Sequence, residues 1–481
     1  MSHERTNLSS DNDEIRSLNM HNVDIDFDIN LEEISKIEGA ASLSIKVRNK
    51  SVADLKFSIT EWKRFYTQAI KGKPAIGVPQ LVDRICGTCS NAHLLCSIKA
   101  IENAYNIKPS YQTILLRKLL YYGLIIRDHA LHLYIFALPD IFGKNSILDF
   151  DENDQVQHKL LEDTFAVKEV GNQLSVVTGG RSVHAPLPTV GGFLKYPNLF
   201  DLKNLKPKLL EIRPKIMDLI KIFSNSFNLE LKTDILYSGL ESDDFSFIEG
   251  TIKTSNGQVI DDKDLGNHLN KTIIPYSHAT GYKLDGEYLM VGALSRLNLG
   301  KENLNQKTKE AIDEYLSKFP SKNIYDNNLA QAIEILHAID ASIEIIDNLQ
   351  SIEPEPIIKP DINSLGYPEF ISGSNNGSNE IPNQVRDDMG IRVGIGVIEA
   401  PRGTLYHKYE IDDRGMVKKA EIVVPTGQNQ ILIERAIKEK VEEMVVSNSS
   451  REEIINEAEK IIRAFDPCMS CASHFLKVKW K

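Results

Sequence analysis

Two Cys-x-x-Cys pairs stand far apart in the sequence, Cys86 with Cys89 and Cys468 with Cys471, each followed within a few residues by a histidine, His93 and His474. A C-x-x-C turn aims two thiolates at one soft metal ion, and two such turns supply the four sulfurs of a complete site. A structural zinc ion, a soft transition-metal centre and a redox dithiol all use such thiols. Zinc ribbons keep their two knuckles within a few tens of residues, whereas these pairs lie at opposite ends of the chain. A site clamped in that way closes the core of a large fold. The fifth cysteine, Cys96, has no such partner and reads as a small buried apolar side chain.

The segments carrying the pairs are Arg84-Ile85-Cys86-Gly87-Thr88-Cys89, with His93, and Asp466-Pro467-Cys468-Met469-Ser470-Cys471, with His474. They resemble the R-x-C-G-x-C-x-x-x-H and D-P-C-x-x-C-x-x-H signatures of nickel-iron hydrogenase large subunits. The likeness continues in Lys36-Ile37-Glu38-Gly39, where Ala40 replaces the family's usual histidine. It continues in Gly179-Gly180-Arg181-Ser182-Val183-His184, Val291-Gly292-Ala293-Leu294-Ser295-Arg296 and Glu399-Ala400-Pro401-Arg402-Gly403-Thr404-Leu405. The run from Arg127-Asp128-His129 to Ala137-Leu138-Pro139-Asp140 is similar to the cytoplasmic branch coupled to soluble cofactors.

The resemblance implies reversible heterolytic cleavage of H2. Cys86 and Cys468 would be terminal nickel ligands, and Cys89 and Cys471 would bridge to an iron carrying carbon monoxide and cyanide. Cys468 would be the first base and Glu38 the proton relay beside it; without the likeness, Glu38 would read as capping a turn between two strands. Arg402 would stand over the open metal position, Pro401 would line that pocket, and Asp128 and Asp466 would fix the arginine. His93 would hydrogen-bond to a bridging sulfur. His474 would ligate a magnesium or second iron ion, although Thr67 occupies the place of the family's glutamate ligand. With four cysteines spent on nickel, none remain for a cubane cluster. The implied partners are therefore an iron-sulfur small subunit, with further subunits binding NAD(P) or deazaflavin; no G-x-G-x-x-G fingerprint follows a strand here. The competing readings are an interaction protein built on a structural four-cysteine zinc site and a respiratory-complex relative that kept the fold without the metal. Retention of all four cysteines speaks against the last.

The elements that must position these residues read as an α-rich α+β fold: a long helical core with small antiparallel sheets, and a metal centre closed by the N- and C-terminal C-x-x-C segments. Val23, Ile25, Phe27 and Ile29 alternate with aspartates, and Ala41, Leu43, Ile45 and Val47 with polar residues, predicting two antiparallel strands with Glu38 and Gly39 near their turn. Most of the remainder reads as helix. Tyr111 to Leu138 is one long buried candidate, Ile333, Leu336, Ile339, Ile343 and Ile346 mark another, and Ser450 with Glu453 forms a capping box opening a helix that Pro467 ends.

Residues 1–20 are a polar N-terminal segment, and 21–481 read as one large catalytic domain with a surface insertion at 371–390, rich in Gly, Ser, Asn and Asp. The formal net charge of −11 and pI of about 5.6 repel phosphates and argue against a nucleic-acid partner. No apolar run of about 18 residues and no apolar leader is present, which predicts a cytoplasmic chain without membrane insertion.

Overall fold

The computed structural model describes residues 26–359 and 390–473. Strands β1 (Phe27–Leu31), β2 (Ala41–Arg48) and β3 (Ser51–Ile59) form an antiparallel sheet in that order. The alternating residues pair as predicted, with Phe27 opposite Val47 and Ile29 opposite Ile45. Val23 and Ile25, the first residues of the predicted strand, lie outside the described residues, as do the segment 1–20 and nearly all of 371–390.

Helices build most of the core. Helix α1 (Ser90–Ala104) begins directly after Cys89. Helix α2 (Tyr111–Ala130) is capped by Ser110, whose hydroxyl accepts from the Thr113 amide. It passes into a π-helical turn, Leu131–Ala137, where the sequence predicted unbroken helix to Leu138. The wider turn follows closely on Asp128, the setting in which such turns re-aim functional side chains. Helices α3 (Gln155–Gly179), α4 (Leu199–Ser224), α5 (Ala293–Gly300) and α6 (Asp326–Asn348) complete the helical layer. All five isoleucine and leucine positions named on α6 are buried.

Small sheets were expected, but beyond the N-terminal one the sequence reading assigned their strands to no particular residues. Strand β4 (Leu236–Glu241) belongs to a four-stranded sheet with one parallel pairing, to Leu289–Met290. Strands β5 (Arg392–Ala400), β6 (Gly403–Ile411) and β7 (Val417–Val423) form an antiparallel sheet. From Gly394 to Ala400, β5 is buried at every position, so it lacks the alternation that betrays a half-exposed strand. Its glycines admit α1 at backbone contact: a Cβ on Gly396 would lie 2.3 Å from the Cys96 carbonyl oxygen. The Cys96 thiol donates to the Gly396 carbonyl at 3.2 Å, consistent with its reading as a small buried side chain.

Helix α7 (Pro425–Val446) leads to α8 (Arg451–Ala464), whose N-terminus carries the expected reciprocal Ser450–Glu453 capping box. Among the described residues, no helix is long and apolar enough to cross a membrane.

Candidate metal centre

The two cysteine pairs arrive by different routes. Cys89 ends the turn that feeds α1, while Cys468 follows α8 through Asp466, which takes a left-handed backbone (φ 47°), and Pro467. The second pair is stitched to the N-terminal sheet's connection: the Met469 amide donates to the Glu38 carbonyl at 3.0 Å. Gly39 makes this approach possible. Its φ is +80°, and a Cβ there would stand 2.8 Å from that of Met469. The Cys468 amide donates to Thr426 Oγ1 on α7 at 2.8 Å, fixing the other side of the turn.

The four sulfurs are buried and lie within 4.8 Å of one another. Cys86 and Cys468 are 3.3 Å apart, Cys89 and Cys471 3.1 Å, and Cys468 and Cys471 3.2 Å. Disulfide bonding needs about 2.05 Å, so these are four convergent thiols. Metal–sulfur bonds of about 2.3 Å place all four around one ion.

Around the sulfurs, charge and hydrogen bonding are asymmetric. Glu38, half-buried, has Oε2 3.0 Å from Cys468 Sγ, and accepts from the Ser470 hydroxyl (2.6 Å) and amide (3.1 Å). Burial first, then the Cys86 sulfur, raise its pKa above the ordinary carboxylate value, against the pull of those hydrogen bonds. Buried Arg402 occupies the two-residue turn between β5 and β6, with Pro401. Its Nη1 donates to Asp128 Oδ2 at 2.7 Å, and its Nη2 stands 3.0 Å from Asp466 Oδ1. Burial alone would lower the Arg402 pKa; Asp128 and Asp466, then the sulfurs of Cys468 and Cys89, reverse that and hold it charged.

His93 Nε2 lies 3.5 Å from Cys471 Sγ, and its Nδ1 is 3.1 Å from Nε2 of His407. His407 in turn meets the Tyr409 hydroxyl at 2.7 Å. The fold thus brings Cys86, Cys89, Cys468, Cys471, Glu38, His93, Asp128, Pro401, Arg402 and Asp466 into one neighbourhood. His474 lies outside the described residues, and Thr67 sits half-buried on a short helical turn, Tyr66–Ala69.

Several side chains of this neighbourhood escaped the sequence reading. Arg127 Nη2 donates to the Thr88 carbonyl inside the first C-x-x-C at 2.8 Å, and Gln331 Nε2 donates to Asp466 Oδ2 at 2.9 Å. Arg127 stood inside a quoted motif and could have been found there, whereas Gln331 is an ordinary position on a core helix and gives no local signal.

Four thiolates suit a soft ion, and the flanking groups suit one that brings further ligands. Arg402 Nε and Nη2, Arg127 Nε and Asp128 Oδ1 are buried without an aligned hydrogen-bond partner, a costly arrangement around a closed zinc knuckle. The guanidinium N–H groups among them are donors that could meet anionic metal ligands.

Comparison with known proteins accords with this donor set. The family model described as nickel-dependent hydrogenase matches residues 64–160 and 256–474. The alpha subunit of sulfhydrogenase 2 from Pyrococcus furiosus is 30% identical over 94% of this chain and 100% of its own length. A vhc subunit of the F420-non-reducing hydrogenase of Methanococcus voltae is 25% identical over 93% of this chain and 94% of its own. A crystal structure of NAD+-reducing [NiFe]-hydrogenase in the H2-reduced state superposes with a TM-score of 0.75, covering 93% of this chain and 99% of that one at 22% identity.

Proposed function

This chain belongs to the nickel-dependent hydrogenase family, and from that premise we propose that it is the catalytic subunit of a nickel-iron hydrogenase, cleaving and forming H2 at the four-cysteine site. The observation that carries the reading is the convergence of four buried sulfurs, with a carboxyl group beside them and a charged arginine within their electrostatic reach. When bound there, nickel with an iron carrying carbon monoxide and cyanide supplies a two-electron sink for heterolytic cleavage.

The chain's own residues manage the proton. Cys468 Sγ is the first base, and Glu38 Oε2, 3.0 Å away, accepts the proton from it. The raised pKa of Glu38 suits a group that must both take and release protons, and its partial exposure opens a way to solvent. Arg402, held by Asp128 and Asp466, presents positive charge toward the sulfurs. Pro401 stiffens the turn that carries it and lines the same pocket. The ring of His93 lies beside Cys471, where a hydrogen bond would draw electron density from a metal-bound thiolate. His474 remains a candidate ligand for a magnesium or second iron ion.

Electrons leave through another chain, because the cysteines here are committed to nickel or, in Cys96, buried against β5. We assign that role to an iron-sulfur small subunit. The subunit names of the relatives support a multisubunit enzyme, and likeness to an NAD+-reducing hydrogenase favours a nicotinamide acceptor, bound by a further subunit, over deazaflavin. Metal analysis of the purified complex tests the central assignment: nickel together with iron supports it, whereas a single zinc ion returns the four cysteines to a structural role.

A further inference from the structure

Arg296, on α5, is buried and donates all five of its N–H bonds. Nε and Nη2 grip Glu334 on α6 at 2.6 and 2.8 Å. Nη1 donates to Glu399 Oε2 at 2.7 Å and to the Ala400 carbonyl at 3.1 Å, and Nη2 to the Pro401 carbonyl at 2.9 Å. The last two acceptors are the peptide groups immediately before Arg402, inside the two-residue turn. Glu399 is itself held from its other oxygen by the Leu240 amide and the Thr404 hydroxyl.

The same cluster reaches Arg402's ion-pair partners. Glu334 Oε2 meets His129 Nε2 at 2.8 Å, and His129 adjoins Asp128 on α2. Gln331, three residues before Glu334 and so on the same face of α6, donates to Asp466. Glu334 is thereby connected to both partners of the Arg402–Asp128 pair, through Arg296 on one side and His129 on the other.

We propose that Arg296 is a positioning residue for the hydrogenase reaction: its five-donor contact with Glu334, Glu399 and the Ala400–Pro401 carbonyls fixes the turn that aims the Arg402 guanidinium at the sulfur centre. The inference rests on the reading of Arg402 as the arginine over the reacting site. Lysine cannot replace Arg296, because three donors on one nitrogen do not span two carboxylates and two carbonyls. Misplacement of a reacting group by about 1 Å costs up to about a hundredfold in rate.

The test uses the intact, nickel-loaded complex with Arg296→Lys, Arg402→Lys and the double variant. Expected for Arg296→Lys are wild-type nickel content, an unchanged KM for H2, a kcat lowered about tenfold to a hundredfold, and a crystal structure in which Arg402 has left its 2.7 Å pairing with Asp128. The double variant should be no slower than Arg402→Lys alone, since both changes remove one function. Multiplicative losses in the double variant, wild-type turnover in Arg296→Lys, or loss only in proportion to lost nickel would each overturn the inference. Wild-type turnover in Arg402→Lys would instead overturn the reading beneath it. If Arg296→Lys does not fold, Thr404→Val loosens Glu399 more gently: a severalfold fall in kcat that vanishes on the Arg402→Lys background supports the proposal, and an unchanged kcat refutes it.

Discussion

Replacing Glu38 by glutamine isolates proton transfer from architecture. The amide keeps an oxygen to accept the Ser470 N–H at 3.1 Å, and its NH2 can donate to the Ser470 hydroxyl, which now lies 2.6 Å from the other carboxyl oxygen and can rotate to accept. The Met469–Glu38 backbone bond is untouched, so the turn should hold, at a cost of about 1 kcal/mol for weakening hydrogen bonds to a charged acceptor. What disappears is a titratable site 3.0 Å from Cys468. General acid–base groups contribute about a hundredfold to ten-thousandfold, or roughly 3–5 kcal/mol of barrier. Hydrogen–deuterium exchange by the loaded enzyme should fall by that factor while nickel content and melting temperature stay near wild type. Wild-type exchange rates in Glu38→Gln would refute the relay and leave Glu38 as a brace for the second cysteine turn.

Other consequences are open to measurement. Asp83 is buried with neither oxygen hydrogen-bonded, and burial pushes its pKa to about 7 from an ordinary 3.8 despite Arg84. Its folded form thus keeps a proton that the unfolded chain has lost, so stability falls as pH rises from about 4 to 7; Asp83→Asn should remove that slope and stabilise the chain at pH 8 by up to about 4 kcal/mol in urea unfolding, and an unaltered pH profile would count against it. Gly39→Ala puts a methyl group against Met469 at a left-handed position and should cost roughly 1–3 kcal/mol and weaken nickel retention, both absent if the turn simply shifts. Separated from co-purifying partners, the nickel-loaded chain should reduce dyes with H2 poorly and regain activity when an iron-sulfur partner is added back; full activity alone would defeat the electron-exit argument.

Legibility in the sequence divided along physical lines. Local signals were readable: the C-x-x-C spacing, the alternation of β2, the apolar stripe of α6 and the Ser450–Glu453 box each arise from neighbours along the chain. Strand β5 was missed because burial on both faces erases its period, and the π-helical turn after Ala130 because no residue type specifies it. Glu38, Arg402, Asp128 and Asp466 were found through motif likeness, since by residue type each also suits an ordinary cap or ion pair. Gln331, Glu334 and His407 were invisible for a different reason. Each has a partner over a hundred positions away, and a buried polar network has no periodicity along the chain.

The sulfurs of Cys86 and Cys468 touch across a separation of 382 positions, which orders events in time. At about 5–20 residues per second, the ribosome delivers the second pair roughly 20–75 s after the first. During that interval Cys86 and Cys89 are two thiols without the other half of their site, and a pair of thiolates alone discriminates poorly among soft divalent ions. The choice of metal must therefore fall after synthesis, when the segment following α8 docks onto Glu38 and shuts the centre. Until then the chain carries a chemically open wound, and translation speed sets the least time that it stays open.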